Sequence, residues 1–362
     1  REWLISESFI LANTDNFQLN YNPEKTRVDV VAKVDFGDRV TFGFEGNSLF
    51  SRGELNGFIS QLRSTGLGKD YVNAIRRKIL EEYAAQAYSN AKIDILTSEN
   101  DSIHHVTFKI QEGGRTKLEK VRWEGLTAKN LSGSEEVFSK NSSRLIERGF
   151  FVEKDVEKLV QLALEELQAK GYLLSKITSK SVLPGSTSSS VQYLVQFSEG
   201  EQTFVNNIEL KGFKHYTRQQ IIDMLGTAEG KPLNPFAIEE GIQKLLRAHI
   251  GEGFLDFKII TAEDAIVKFL QKIRFAEISL EVEEGPRFKI GEIRFEGIEK
   301  TKPFIVEREL TVETGQWWLG AKVFETENNL RRLGLFSDVA IRPASSSRGQ
   351  DYRDMVIVVK EA

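Results

Sequence analysis

The sequence contains no cysteine, and this absence removes three kinds of chemistry at once. Without thiols the chain forms no disulfide, offers no thiolate nucleophile and holds no cysteine-ligated zinc. An excess of one charge is also missing, because 49 basic residues stand against 53 acidic ones. The net charge of −4 gives no basic field to attract nucleic acid or anionic lipid. Apolar runs stay far below the roughly 18 residues of a transmembrane helix. The composition therefore predicts globular domains.

What the sequence does contain is an internal repeat. Four runs of alternating apolar and polar residues end in a glycine, and these anchors lie 79 to 87 residues apart: Gly46, Gly125, Gly212 and Gly297. A second set of alternating runs ends at Gly37, Gly113, Gly200 and Gly285. Alternation with period two, bounded by glycine, predicts strands with one buried face. Each repeat therefore has a first and a last strand.

Two helical patterns lie between the first and last strands. Capping-box pairs begin two of these helices: Ser51 with Glu54, and Thr217 with Gln220. The second helix ends at a glycine suited to a left-handed cap, followed by a large apolar residue, at Gly171, Gly253 and Gly334. Ala87 occupies this place in the first copy, where we expect Asn90 to supply the cap.

A middle strand follows each cap, predicted at 91–97, 173–179, 255–261 and 337–342. Polar tracts at 22–26, 97–101, 183–190, 261–265 and 342–350 are predicted as the hairpin turns that lead into the last strand. The order is strand, helix, helix, strand, strand. The predicted units are 39–115, 116–202, 203–287 and 288–362, and residues 1–38 supply the C-terminal half of a truncated unit.

A tandem β-α-α-β-β unit of this length resembles the polypeptide-transport-associated (POTRA) domain. The resemblance is carried by FEG or WEG at the end of the first strand, GY or GF before the middle strand, and EG after the last strand. The stretch LRRLGLFSDVAI from Leu330 is similar to the family's most recognisable segment. The resemblance covers essentially the whole chain. It implies an α+β fold of tandem repeats, each a three-stranded mixed sheet covered on one face by two antiparallel helices.

The resemblance also implies a setting and partners. It implies the periplasmic portion of a bacterial outer-membrane protein, with a lost N-terminal signal and a membrane-embedded β-barrel beginning after Ala362. The number of units favours a β-barrel assembly factor over a translocation-and-assembly-module or secretion-type transporter. Implied partners are unfolded outer-membrane proteins and periplasmic accessory lipoproteins or chaperones, without nucleic acid. A purely structural scaffold for lipoproteins, or a soluble adaptor without a barrel, remains an alternative.

A mechanism follows from the edge position that the resemblance implies for the middle strand. The free edge of a sheet accepts an extended peptide as an added strand, with little demand on its sequence. The candidate docking residues are Lys92, Ile93, Ile95, Lys176, Ile177, Phe257, Lys258, Ile259, Val339 and Ile341. The alternative interpretation is that these lysines only protect the edges against aggregation.

Catalytic and metal-binding patterns are weak in this sequence. His104 and His105 are neighbours on a predicted strand and point to opposite faces, which prevents shared metal ligation. Paired acidic residues such as Glu283 and Glu284 recur at each strand end, and this recurrence indicates exposed turn carboxylates. We therefore expect no enzyme, no cofactor and no metal.

Overall fold

The computed structural model describes residues 9, 13–21, 26–36, 39–65, 70–100 and 103–362. It separates into two compact units, Arg1–Glu165 with Lys176–Ser198, and Glu166–Ser175 with Glu199–Ala362. The described residues form five sheets. We call the segments 39–115, 116–202, 203–287 and 288–362 repeats 1 to 4.

The helices and strands follow the predicted order, with an additional short helix in repeat 2 and a divided middle strand in repeat 3. Ahead of repeat 1, β1 (Asn13–Tyr21) and β2 (Val28–Asp35) form an antiparallel hairpin. Repeat 1 contains β3 (Arg39–Glu45), α1 (Arg52–Thr65), α2 (Tyr71–Ala85), β4 (Lys92–Asn100) and β5 (Ile103–Gln111). Repeat 2 contains β6 (Lys117–Glu124), α3 (Ala128–Asn141), α4 (Arg144–Glu147), α5 (Glu153–Ala169), β7 (Lys176–Pro184) and β8 (Ser190–Ser198).

Repeats 3 and 4 differ from one another in their middle strands. Repeat 3 contains β9 (Phe204–Lys211), α6 (Arg218–Leu225), α7 (Pro235–Gly251), β10 (Lys258–Ile259), a 3₁₀ turn (Glu263–Ala265), β11 (Val267–Leu270) and β12 (Phe275–Glu283). Repeat 4 contains β13 (Lys289–Glu296), α8 (Pro303–Glu307), α9 (Gly320–Arg332), β14 (Phe336–Ser345) and β15 (Tyr352–Glu361).

The sheet of each of repeats 1 to 4 has the mixed topology that the resemblance implies. The last strand is central, and the first strand pairs with it in parallel, as β3 does with β5. The middle strand pairs with it antiparallel and forms the opposite edge, as β4, β7 and β14 do. This confirms the α+β fold of tandem β-α-α-β-β units.

Each repeat buries its own core, in which the alternating apolar residues of the strands pack against the apolar faces of the helices. In repeat 1 the alternating Val106, Phe108 and Ile110 of β5 are buried against helical residues such as Leu55 and Ile79. Repeats 3 and 4 have separate clusters of the same kind. A fully buried aliphatic or aromatic side chain of this size contributes about 1.5–3 kcal/mol.

The glycine anchors mark places where two backbones come too close for any side chain. Gly46, Gly125, Gly212 and Gly297 all have positive φ, and a Cβ atom there would lie 1.9 to 2.2 Å from a carbonyl oxygen of the last strand. The remaining repeat anchors, Gly113, Gly200 and Gly285, also have positive φ. Gly37 lies outside the described residues.

The caps of the second helices hold one correction. Gly171, Gly253 and Gly334 have positive φ, as expected. Ala87 itself adopts the left-handed conformation, with φ 68°, so Asn90 is not the cap. The Tyr88 N–H donates to the Tyr83 carbonyl at 2.9 Å and closes the helix as at the glycine caps. A left-handed non-glycine residue costs about 1–2 kcal/mol.

The middle strand of repeat 3 was predicted wrongly. Only Lys258 and Ile259 pair with β12 in the predicted range, and the chain then leaves the ladder. The N–H groups of Ile260 and Thr261 both donate to the Glu281 carbonyl, the mark of a bulge. The predicted turn at 261–265 is the 3₁₀ turn instead. The hairpin turn lies at Gln271–Ile273, three consecutive residues with positive φ.

Candidate peptide-docking edges

The structure places the predicted docking residues in unequal surroundings. Three groups lie on continuous edge strands: Lys92, Ile93 and Ile95 on β4, Lys176 and Ile177 on β7, and Val339 and Ile341 on β14. Lys258 and Ile259 form the whole of β10. Phe257 precedes that strand and is buried in the core, so it is no edge residue. No two of these groups share one sheet.

Strand β4 has the most regular edge. Its nine residues pair with β5 without interruption, from Lys92 opposite Gln111 to Asn100 opposite Ile103. The first half of β4 is apolar on the helix-covered face, where Ile93 lies in the core of repeat 1 and Ile95 packs against that core. Thr97 and Glu99 follow on the same face and are exposed. Leu96 is half exposed on the other face.

Strands β7 and β14 carry irregularities. The pairing of β7 with β8 shifts between Ile177 and Ser179. The pairing of β14 with β15 shifts between Phe336 and Asp338. In addition, the Arg331 guanidinium donates to the Val339 carbonyl, and the Asp338 carboxylate accepts the Val339 N–H at 2.9 Å. Bulges and occupied backbone groups are the devices by which sheets protect an edge.

Repeat 3 presents a groove instead of a continuous edge. The break between β10 and β11 turns Ile266 inward, where it is only 7% exposed. A cavity of about 410 Å³ lies between the broken edge and α7, lined among others by Ile238, Ile242 and Ile259. The backbone of this broken edge cannot form the unbroken ladder that an added strand requires.

The glutamates before the closing glycines are structural, which corrects the interpretation of Glu284 as an exposed turn carboxylate. Glu284 is 6% exposed and accepts the N–H groups of Lys214 and His215 at 2.8 and 3.0 Å. The same role falls to Glu112, which accepts the Ser48 and Leu49 N–H groups, and to Glu361, which accepts Thr301 N–H. These closing glutamates fix the loop after the first strand in repeats 1, 3 and 4.

The electrostatics of the closing glutamates follow from these bonds. Burial alone would raise the pKa of Glu284, but the two backbone donors and His249 together hold it below its ordinary value. Hydrogen bonds from Thr301 lower the pKa of Glu361 to about 2. His249 is itself fully buried, with Nδ1 2.7 Å from the Leu245 carbonyl oxygen and Nε2 3.4 Å from Glu284. The recurrence of EG in the sequence was the available signal for this role.

The repeats are joined by a second recurring pattern, which the sequence analysis missed. The residue before β6, β9 or β13 donates its N–H to the carbonyl of the preceding helix cap: Thr116 to Ala87, Thr203 to Gly171 and Phe288 to Gly253, at 2.7 to 2.9 Å. Its carbonyl in turn accepts an N–H from its own repeat, from Phe151, Leu233 or Trp318. We call this arrangement the joint. The recurrence of EGGRT, EGEQT and EGPRF was its sequence signal.

Side chains reinforce the joint between repeats 3 and 4. The Arg353 guanidinium lies 3.9 Å from the centre of the Phe288 ring and forms an ion pair with Asp256 at 2.8 Å. Arg287 donates to the Glu252 carbonyl at 2.7 Å and lies over the Trp317 ring. Two of these contacts cross the boundary, Arg353 with Asp256 and Arg287 with Trp317.

The described residues contain neither a cluster of possible metal ligands nor a helix that could span a membrane. No group of three or more histidine or acidic residues in the described part of the chain is arranged to hold a metal ion. Among the helices of the described segments, none combines the length and apolar character needed to cross a membrane.

Repeats 3 and 4 match a known family model. Residues 203–285 and 288–362 match the family model described as "POTRA: Surface antigen variable number repeat". The chain is similar to a "Putative outer membrane protein assembly factor" of Treponema pallidum, with 24% identity over 305 residues, which cover 81% of this chain and 35% of that protein.

Two further comparisons concern BamA proteins. "Outer membrane protein assembly factor BamA" of Neisseria meningitidis is 22% identical over 214 residues, 55% of this chain and 26% of that protein. The chain thus spans about a third or less of the length of these curated relatives. The solved POTRA3-5 segment of Haemophilus influenzae BamA has 20% identity and a TM-score of 0.39, covering 68% of this chain and 96% of that one.

Proposed function

We propose that this chain, a tandem array of POTRA repeats, is the periplasmic docking arm of an outer-membrane protein assembly factor. In this role it binds unfolded outer-membrane proteins by strand addition and holds accessory proteins beside them. The family match of residues 203–285 and 288–362 and the names of the relatives support the setting.

The observation that carries the proposal is the repeated open edge. Among the described residues, the middle strand of repeats 1, 2 and 4 has a partner strand on one side only, and each of these strands is nine or ten residues long. Backbone N–H and C=O groups on such an edge bind an extended peptide through its main chain. This recognition suits clients that share alternating strands but no common sequence.

The accessory role has a separate support. Backbone bonds link repeat 1 to repeat 2 through Thr116 and Ala87, and repeat 3 to repeat 4 through Phe288 and Gly253, so a partner that contacts both members of either pair finds them connected. A purely structural scaffold would use these surfaces without using the edges.

Titration with a ten-residue peptide of alternating valine and threonine tests the docking function. We expect this peptide to change amide chemical shifts along at least one of β4, β7 and β14. The same peptide with its central residue replaced by proline should change none. Accessory-protein binding with no shift in any strand would instead favour the scaffold.

A further inference from the structure

The four middle strands differ in how well their outer edges are protected. In β7 and β14 the register shifts, in β14 the Val339 backbone is also occupied, and in repeat 3 the strand is split. Strand β4 has none of these devices: among the described residues only β5 pairs with it, and its single lysine is its first residue. A long, regular and unprotected edge is an aggregation hazard unless a partner uses it.

We propose that β4 is the principal client-docking edge of the chain, an inference that rests on the proposed function. The incoming segment pairs along Lys92–Asn100 as a fourth strand of the repeat 1 sheet. Nine regular positions provide an unbroken ladder, whereas a register shift twists a strand and interrupts pairing.

The faces of β4 define the chemistry of that segment. Ile93 is 6% exposed and Ile95 packs beside it on the helix-covered face. An added strand places every second side chain next to this apolar face, under α2, which lies over β4. The fitting partner is therefore an extended peptide whose apolar residues recur with period two.

A cavity adds a specificity pocket at the beginning of β4. It has a volume of about 390 Å³ and lies between α2, the residues that lead into β4, and the start of α5. Its apolar wall is formed by Leu80, Ala84, Tyr88, Ala91 and Val152.

The charges at this pocket indicate which side chain it accepts. Two basic residues and two acidic residues line it, Arg77 and Lys154 with Glu81 and Glu153, and Lys154 pairs with Glu81 at 3.4 Å. Because these charges balance, the pocket favours a large uncharged apolar side chain. Ala91 directly precedes β4, so this side chain belongs to the end of the added strand nearest Ala91.

Residue-resolved hydrogen exchange of the chain with the alternating peptide tests the edge. We expect alternate amides of Lys92–Asn100 to gain at least tenfold protection, with no gain at Lys258 and Ile259, the internal control. Protection confined to β7 or β14 would overturn the assignment to β4 and leave the proposed function standing. Protection in no strand would overturn both.

A substitution that fills the pocket tests the second element. The alternating peptide is used in two forms. One form carries phenylalanine at both ends, and the other carries serine at both ends. We expect Ala84→Trp to weaken binding of the phenylalanine form about tenfold and to leave the serine form unchanged, because it removes the space for one buried aromatic group. Ala128→Trp, at an exposed helix start, is the matched control and should change neither.

Two outcomes would show that the pocket does not take part in docking. An equal effect of Ala84→Trp on both peptide forms, or none on either, would remove the pocket from the docking surface. Where Ala84→Trp disturbs exchange in α2, Ala85→Trp on the exposed side of the same pocket repeats the test.

Discussion

At the scale of single residues, glycine has two different roles that share one backbone conformation. Gly212 and Gly230 both lie in repeat 3 with φ of 83° and 77°. A Cβ atom at Gly212 would lie 1.9 Å from the Val282 carbonyl oxygen, whereas one at Gly230 would meet nothing within 4 Å. A comparison of the two positions therefore separates the cost of the left-handed conformation from the cost of close approach between two backbones.

This difference predicts unequal costs for the same substitution. Gly230→Ala should destabilise repeat 3 by about 1–2 kcal/mol, the cost of the left-handed conformation alone. Gly212→Ala should cost about 4 kcal/mol or more, because the last strand must also move away from β9. Hydrogen exchange of repeat 3 under mild denaturant measures both. Equal costs would show that the close approach does not matter.

The closing glutamates make stability depend on pH. The folded pKa of Glu284 lies below its ordinary value of 4.5, so its contribution is complete above pH 4.5 and is lost as the pH falls through the folded pKa. Glu284→Gln should cost repeat 3 about 1–3 kcal/mol at neutral pH, because the loop loses a charged acceptor. The variant should also flatten the acid side of the stability curve.

The neighbouring glutamate provides the matched control for this effect. Glu283 is exposed, and Glu283→Gln should leave both the neutral stability and the acid transition as they are. Urea unfolding of repeat 3 at several pH values between 3 and 7 compares the variants. An acid transition that persists unchanged in Glu284→Gln would assign it to other carboxylates.

The sequence patterns locate these residues but do not show their roles. Glu284 is located by the EG pattern, yet no pattern says that its carboxylate turns inward toward Lys214 N–H, seventy residues earlier. Ala87 shows the same limit, because the fold imposes a left-handed conformation that its side chain disfavours. Contacts between distant segments decide both cases.

At the scale of elements, helix starts were predictable because capping is local. The Thr217 hydroxyl accepts the Gln220 N–H, and the Gln220 side chain accepts the Thr217 N–H, as the capping box requires. Thr217→Ala should destabilise α6 by about 1 kcal/mol, and Thr217→Asn, which keeps an acceptor, should restore it. Amide exchange at Gln220 and Ile221 reports the fraying. Equal exchange in the two variants would contradict a capping role.

Edge strands were less predictable because alternation does not record pairing. The run from Leu255 has the alternation of a strand, but only two of its residues pair, since β12 is shared with β11 further along. The sequence thus predicted four similar edges, and the structure has one regular edge, two irregular ones and one broken one. Differences among the copies, rather than the repeat itself, single out β4.

At the scale of the whole molecule, the joint between repeats 3 and 4 decides whether these two repeats move together. Between repeats 3 and 4, a backbone bond from Phe288 to Gly253 is reinforced by Arg353, which contacts both Phe288 and Asp256. The ring contact and the ion pair together contribute about 1–2 kcal/mol. Their removal should loosen the joint while each repeat keeps its own core.

Spin labels test this expectation directly, because a chain without cysteine accepts labels only where they are introduced. With Arg247→Cys and Arg332→Cys labelled on exposed sites of α7 and α9, Arg353→Ala should broaden the distribution of distances between repeats 3 and 4. Arg342→Ala removes an ion pair with Glu296 of similar length, 2.9 Å, inside repeat 4 and should leave the distribution narrow. The same broadening in both variants would mean that surface charge in general, rather than the joint, holds the repeats in place.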